Sequence, residues 1–176
     1  DDDAPLEIGG GTEEQNYIYV EGLIGHFQRL NPILEHFNPA DRDVNRLIYN
    51  GLVKFDQWGN PVPDLVEAWN VSLKGDVFNI TLREGVVWHD GMPLTTEDVV
   101  FTIELMQNPE IPIEEDIVKL WSEVEVIVFD ELNMQFILPS PFIAFADYLS
   151  FGVLPAHVLT GRTADEIVNG DFNFAP

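Results

Sequence analysis

The chain has 176 residues, 45% of them apolar, which is enough to bury a substantial core and excludes intrinsic disorder for most of its length. It carries 31 Asp and Glu against 8 Lys and Arg, a net charge of −23 that argues against nucleic acid and anionic membrane surfaces as partners. Cysteine is absent, which removes disulfides, thiolate metal sites and a cysteine nucleophile together.

Residues 1–15 combine Asp1, Asp2, Asp3, Glu7, Glu13 and Glu14 with Gly9, Gly10 and Gly11 and hold no basic residue, the composition of a flexible acidic linker. The glycine run lacks the following lysine of a phosphate loop. No basic-headed apolar segment of the secretory-signal kind is present. Asn16 to Val20 is β-branched and aromatic and predicts a strand, ended by Gly22 and Gly25. Asp41 is placed to cap a short helix through Val44, Leu47 and Ile48, with Gly51 as a left-handed stop. A short strand at Leu52 to Phe55 and a turn at Gly59-Asn60-Pro61 follow.

The middle is the most regular part. Val71 to Leu73 and Val77 to Arg83 flank Lys74-Gly75-Asp76, and Phe78, Ile80 and Leu82 alternate with polar neighbours, which predicts a hairpin with one buried face. Thr95, three residues before Asp98, predicts a capping box opening a helix to about Gln107. On it Val99, Val100, Ile103 and Met106 share one face while Phe101 and Leu105 form a second apolar row, so the helix is expected between two layers. Val124, Val126 and Val128, then Met134, Phe136 and Leu138, predict a second hairpin turning at Asp130 to Asn133. A helix at Phe142 to Leu149, a break at Leu154-Pro155 and a helix start at Thr163, with Glu166 three residues on, complete the chain. The apolar stretch Phe142 to Leu159 is interrupted by Asp147, Pro155 and His157, whereas a spanning helix needs roughly 20 apolar residues, so a soluble protein is expected.

Chemistry-bearing patterns are sparse. His26, His36, His89 and His157 have no helical ligand spacing, and the adjacent His89-Asp90 is expected to organise its loop rather than bind a metal. Glu114-Glu115-Asp116 lacks calcium-loop spacing and reads as a solvated acidic face. Ser72, Ser122, Ser140 and Ser150 lie in no nucleophile elbow. The glycosylation-type matches at Asn70 and Asn79 fall inside the first hairpin and read as chance. Phe78, Phe101, Phe136 and Trp121 sit at core positions.

The order of motifs carries more. Leu47-Ile48-Tyr49-Asn50-Gly51-Leu52-Val53-Lys54-Phe55-Asp56, Gly59 to Trp69, Phe78 to Gly91 and Pro93 to Phe101 resemble, block by block, the N-terminal part of the family 5 extracellular solute-binding proteins, the peptide- and nickel-binding group that serves ABC importers. Leu154-Pro155-Ala156-His157-Val158-Leu159 resembles the family's helix start after the second hairpin.

The resemblance implies an α/β (mixed α+β) fold, a lobe of the periplasmic-binding-protein type II kind. Within it, 1–15 is linker, 16–50 the start of the large ligand-binding lobe, 51–160 a small accessory mixed-sheet domain, and 161–176 a return toward the large lobe. Members are longer, so the chain is expected to be an N-terminal fragment without the second lobe. In the family the loop after the first strand lines the ligand cleft; here it maps onto Gly25, His26, Phe27 and Gln28, where relatives typically carry small or acidic residues.

The implied partners are an oligopeptide or similar small solute and ABC permease subunits, with no nucleic acid, no cofactor and no metal, and with a membrane link only through a removed lipid anchor for which 1–15 would be the tether. The implied location is the extracellular face of the cytoplasmic membrane or the periplasm. The segment Leu52 to Leu159 is expected to fold alone while binding peptides weakly or not at all. Two alternatives are an acidic hydrolase using a carboxylate pair among Glu67, Asp90 and Glu97, and a stand-alone structural surface domain.

Overall fold

The computed structural model describes Gly22 and residues 25–176. The linker and the expected strand at 16–20 lie outside the described residues.

Helix α1 (Pro39–Ile48) begins at a proline, whose fixed φ and missing N–H suit the first helical position. That start puts the cap at Asn38 instead of the expected Asp41: the Asn38 side-chain oxygen accepts the Ala40 N–H at 3.1 Å, and Asp41 lies buried inside the first turn. Nor does a left-handed glycine stop the helix. The chain leaves at Tyr49 in an extended conformation, φ −112° and ψ 136°. Gly51 serves close approach instead, bridging antiparallel to Gly152. A Cβ at Gly51 would stand 2.8 Å from the Ser150 carbonyl, and one at Gly152 would stand 2.5 Å from the Pro32 Cβ.

Strands β1 (Val53–Phe55) and β2 (Pro61–Pro63) form a small antiparallel hairpin. Its turn is built on Asp56, whose carboxylate accepts the Trp58 and Asn60 N–H groups, each at 2.9 Å. The main sheet contains β3 (Val66–Val71), β4 (Val77–Leu82), β5 (Glu125–Val128) and β6 (Asn133–Ile137) in the order β3-β4-β6-β5. Every pairing described in it is antiparallel. Both expected hairpins are present, although β3 starts earlier and ends at Val71, which leaves Leu73 fully exposed in the loop.

Alternation along the strands separates the two faces. Phe78 opposite Phe136 and Ile80 opposite Met134 are buried on the inner face. On the other face the Gln135 amide donates to the Asn79 oxygen at 2.7 Å, and the Asn79 amide to the Asn70 oxygen at 3.1 Å. The two glycosylation-type asparagines are thus rungs of a cross-strand amide ladder.

Helix α2 (Thr96–Gln107) has the expected capping box between Thr95 and Asp98. Val99, Ile103 and Met106 are buried on it, as is Leu105 on the second row, in keeping with a place between layers; Val100 and Phe101 are only half-buried. Helix α3 (Glu115–Ser122) has no counterpart among the sequence expectations. Its exposed Glu115 and Asp116 form the acidic first turn, favoured at a helix N-terminus, while Trp121 drives into the core. The helix expected at Phe142 to Leu149 is present over Ile143–Ser150 and winds as a 3-10 helix. Helices α4 (Ala156–Leu159) and α5 (Ala164–Asn169) follow, the latter with a second capping box between Thr163 and Glu166.

The centre of the core is aromatic. Trp121 meets Phe136, Phe145 and Phe151 edge-on at ring-centroid distances of 5.7, 5.4 and 5.3 Å, and Phe78 meets Phe145 at 5.0 Å.

Candidate functional site

Gly25, His26, Phe27 and Gln28 run together along the first turn of α1, with all four exposed. The Gln28 N–H donates to Asp41 Oδ1 at 2.6 Å, and the Asn38 amide donates to the His26 carbonyl at 2.8 Å. Immediately downstream the chain turns inward. The Leu30 N–H donates to the Asn173 carbonyl at 2.7 Å, and the Tyr49 hydroxyl donates to the Leu30 carbonyl at 3.0 Å. Asn31, fully buried, donates through its amide to the Asn173 side-chain oxygen at 3.0 Å and to the Ile167 carbonyl at 3.2 Å. The segment is therefore joined by main-chain hydrogen bonds to α1 on one side and to the last residues of the chain on the other. None of these ties has a sequence signal, because isolated Asn and Asp residues far apart in the chain form no recognisable motif.

A cavity of about 420 Å³ opens between the β4–α2 connection and the C-terminal residues, walled by Trp88, Asp90, His157, Arg162 and Phe172. At its edge Asp90 Oδ2 pairs with His157 Nε2 at 2.7 Å. The loop is thus organised by a histidine 67 positions away rather than by the adjacent His89, and the other Asp90 oxygen accepts the Met92 N–H at 3.0 Å. That backbone donor, then His157, holds the Asp90 carboxyl below its ordinary range.

Behind this loop Asp98 does more than close its capping box. One oxygen accepts from the Thr95 N–H at 2.9 Å and the Trp88 indole at 3.2 Å, and the other from the Ala156 N–H at 2.8 Å, so it joins the loop, α2 and α4.

Asp90 and Glu97 border different cavities. Burial holds the Glu35 carboxyl above its ordinary range, and Glu35 is not among the three carboxylates considered for a hydrolase pair. Ser72, Ser122 and Ser150 donate their hydroxyl protons to Asp76, to the Lys119 carbonyl and to the Asp147 carbonyl. Among the described residues no three His, Asp or Glu side chains gather as a metal-ligand set, and no helix is long and apolar enough to cross a membrane.

Comparison with known proteins gives consistent results. The family profile described as bacterial extracellular solute-binding proteins, family 5 Middle, matches residues 60–174. The dipeptide-binding protein of Escherichia coli (strain K12) is 30% identical over 140 residues, 69% of this chain and 25% of that protein. The crystal structure of NikZ from Campylobacter jejuni, in complex with Ni(L-His), superposes with a TM-score of 0.70 at 31% identity, over 84% of this chain and 30% of that one. The oligopeptide-binding protein AppA from Bacillus subtilis, in complex with a nonapeptide, has the same fold, with a TM-score of 0.74 over 85% of this chain and 30% of that one. The chain thus spans about a quarter to a third of the length of these relatives.

Proposed function

The chain belongs to the bacterial extracellular solute-binding proteins of family 5, and from that membership we propose that it is part of the ligand receptor of an ABC importer, capturing a peptide-like solute between two lobes for delivery to permease subunits. The observation that carries this is the family match across residues 60–174. The bound states of relatives fit it too: AppA is seen with a nonapeptide and NikZ with a nickel–histidine complex. In this reading Gly25 to Gln28 face the ligand and residues 51–160 form the accessory domain. Support for that boundary comes from the Gly51–Gly152 bridge, where the chain crosses out and back. The protein is non-enzymatic and works on the outer face of the cytoplasmic membrane or in the periplasm, held by a lipid anchor.

The test is ligand identification by mass spectrometry on the natural protein that carries this sequence, purified from its host. A co-purifying peptide supports the proposal, a nickel–histidine complex redirects it to metal-chelate import, and turnover of peptide by the pure protein sinks it. In the same reading the 176-residue chain alone shows no micromolar binding in calorimetric titration with a mixed peptide library.

A further inference from the structure

Among the described residues, three helices carry a carboxylate at their third position: Asp41 in α1, Asp98 in α2 and Glu166 in α5. Asp98 and Glu166 reach back to the main-chain N–H of their own cap residue, at 2.9 and 2.8 Å. Asp41 does not. Although only 2% exposed, it spends an oxygen on the N–H of Gln28, thirteen residues earlier, at 2.6 Å. The same oxygen takes the Asn38 amide at 3.1 Å. That amide also donates to the His26 carbonyl, while the Asn38 oxygen keeps the cap on Ala40. Burial of a carboxylate is unfavourable unless donors surround it, and here two donors and the positive end of α1 supply the compensation.

We propose that Asn38 and Asp41 form a clasp that fixes the main chain of residues 26–28 in one conformation and so positions the exposed His26 and Phe27 side chains for ligand. The ligand half of this statement rests on the reading, given above, that Gly25 to Gln28 face the cleft. The clasp engages the His26 carbonyl and the Gln28 N–H, so the segment meets solvent with its side chains while its main chain is held. Gly25 supplies the approach: its φ of +118° is one that L side chains rarely adopt, and a Cβ there would lie 3.5 Å from that of Ala40. Asn38 and Asp41 are positioning residues, since neither is itself part of the exposed segment.

The experiment uses the natural protein carrying this sequence, with Asn38→Ser, Asp41→Ala and Asp41→Asn, and reads amide exchange across residues 25–29 together with affinity for the peptide selected from a mixed library. Ser caps a helix about as well as Asn, so Asn38→Ser keeps the cap on Ala40 while removing the amide that donates to the His26 carbonyl and to Asp41. Expected are exchange at the Gln28 amide about tenfold faster in Asp41→Ala and affinity about tenfold weaker in Asp41→Ala and Asn38→Ser, the scale of one hydrogen bond, with Asp41→Asn recovering most of both through its remaining acceptor. Unchanged Gln28 exchange in Asp41→Ala overturns the clasp. Faster exchange with unchanged affinity overturns its positioning role. Absence of peptide binding by the unsubstituted protein removes the cleft-facing reading and the ligand half with it, while exchange still decides whether the clasp exists.

Discussion

The sheet with α2 and α3 is held by apolar contact, with Phe78, Phe136, Phe145 and Trp121 all at most 1% exposed. Residues 25–50 with the last residues of the chain add a second means: Ile33, Leu34, Ile167 and Phe172 share the same apolar core, but Asn31, Asp41 and Asn173 are buried there as well, and the ties between Leu30, Asn31, Tyr49 and Asn173 are hydrogen bonds. Apolar packing is non-directional and tolerates small shifts, whereas a buried polar tie fixes one geometry and is lost all at once when its partner moves. A rigid sheet region thus adjoins a directionally specified segment, which is where the ligand-facing residues are proposed.

The sharpest way to break the apolar side is Trp121→Ala. It removes three edge-on aromatic contacts and leaves a large cavity, so unfolding free energy falls by about 3–5 kcal/mol in denaturant titration. The junction between regions comes next. Asp98→Ala strands the Thr95, Trp88 and Ala156 donors and is expected to lower stability by about 3 kcal/mol, whereas Asp98→Asn keeps an acceptor and loses less. On the polar side Asn31→Ala leaves Asn173 with a missing partner and is expected to lose about 2 kcal/mol by the same measurement. If Asn31→Ala proves as damaging as Trp121→Ala, the division into an apolar and a polar region does not hold.

The same division explains what could be read from the sequence. Both hairpins, the α2 capping box and the inward face of β4 and β6 were legible because period-two alternation and a hydroxyl three residues before a carboxylate are local signals. Helix α3 was hidden because Glu114-Glu115-Asp116 stands out as charge, while its burial rests mainly on one residue, Trp121. Asp41 is a residue type that caps helices, but Pro39 starts the helix two residues earlier, so the cap falls on Asn38. The partners of Asp90, Asp41 and Asn31 lie 67, 13 and 142 positions away and have no local pattern. Gly25 to Gln28 were singled out through family resemblance alone; their residue types gave no hint of the contacts that hold them.

The smallest expected effect separates the regions by pH. Burial pushes the Tyr49 phenol above its ordinary value of 10.0, so folding opposes its ionisation. A raised folded value means that this stabilisation is fully present below pH 10 and is lost as the pH rises, because the unfolded chain releases the proton first. In Tyr49→Phe the Leu30 carbonyl loses its donor, so the variant starts about 1 kcal/mol lower at neutral pH but falls less steeply above pH 10, and the two curves converge. The acid limb has the opposite sign. Backbone donors hold the carboxyls of Asp56 and Asp130 below the ordinary 3.8, a stabilisation present above that value and lost as the pH falls through the lowered ones. Amide exchange near pH 10.5 resolves the location: the Leu30 amide, beside Tyr49, should gain exchange beyond the chemical trend while the Phe136 amide, inside the sheet, should not. Equal gains at both would mean that Tyr49 reports on the whole fold and that the polar region does not open by itself.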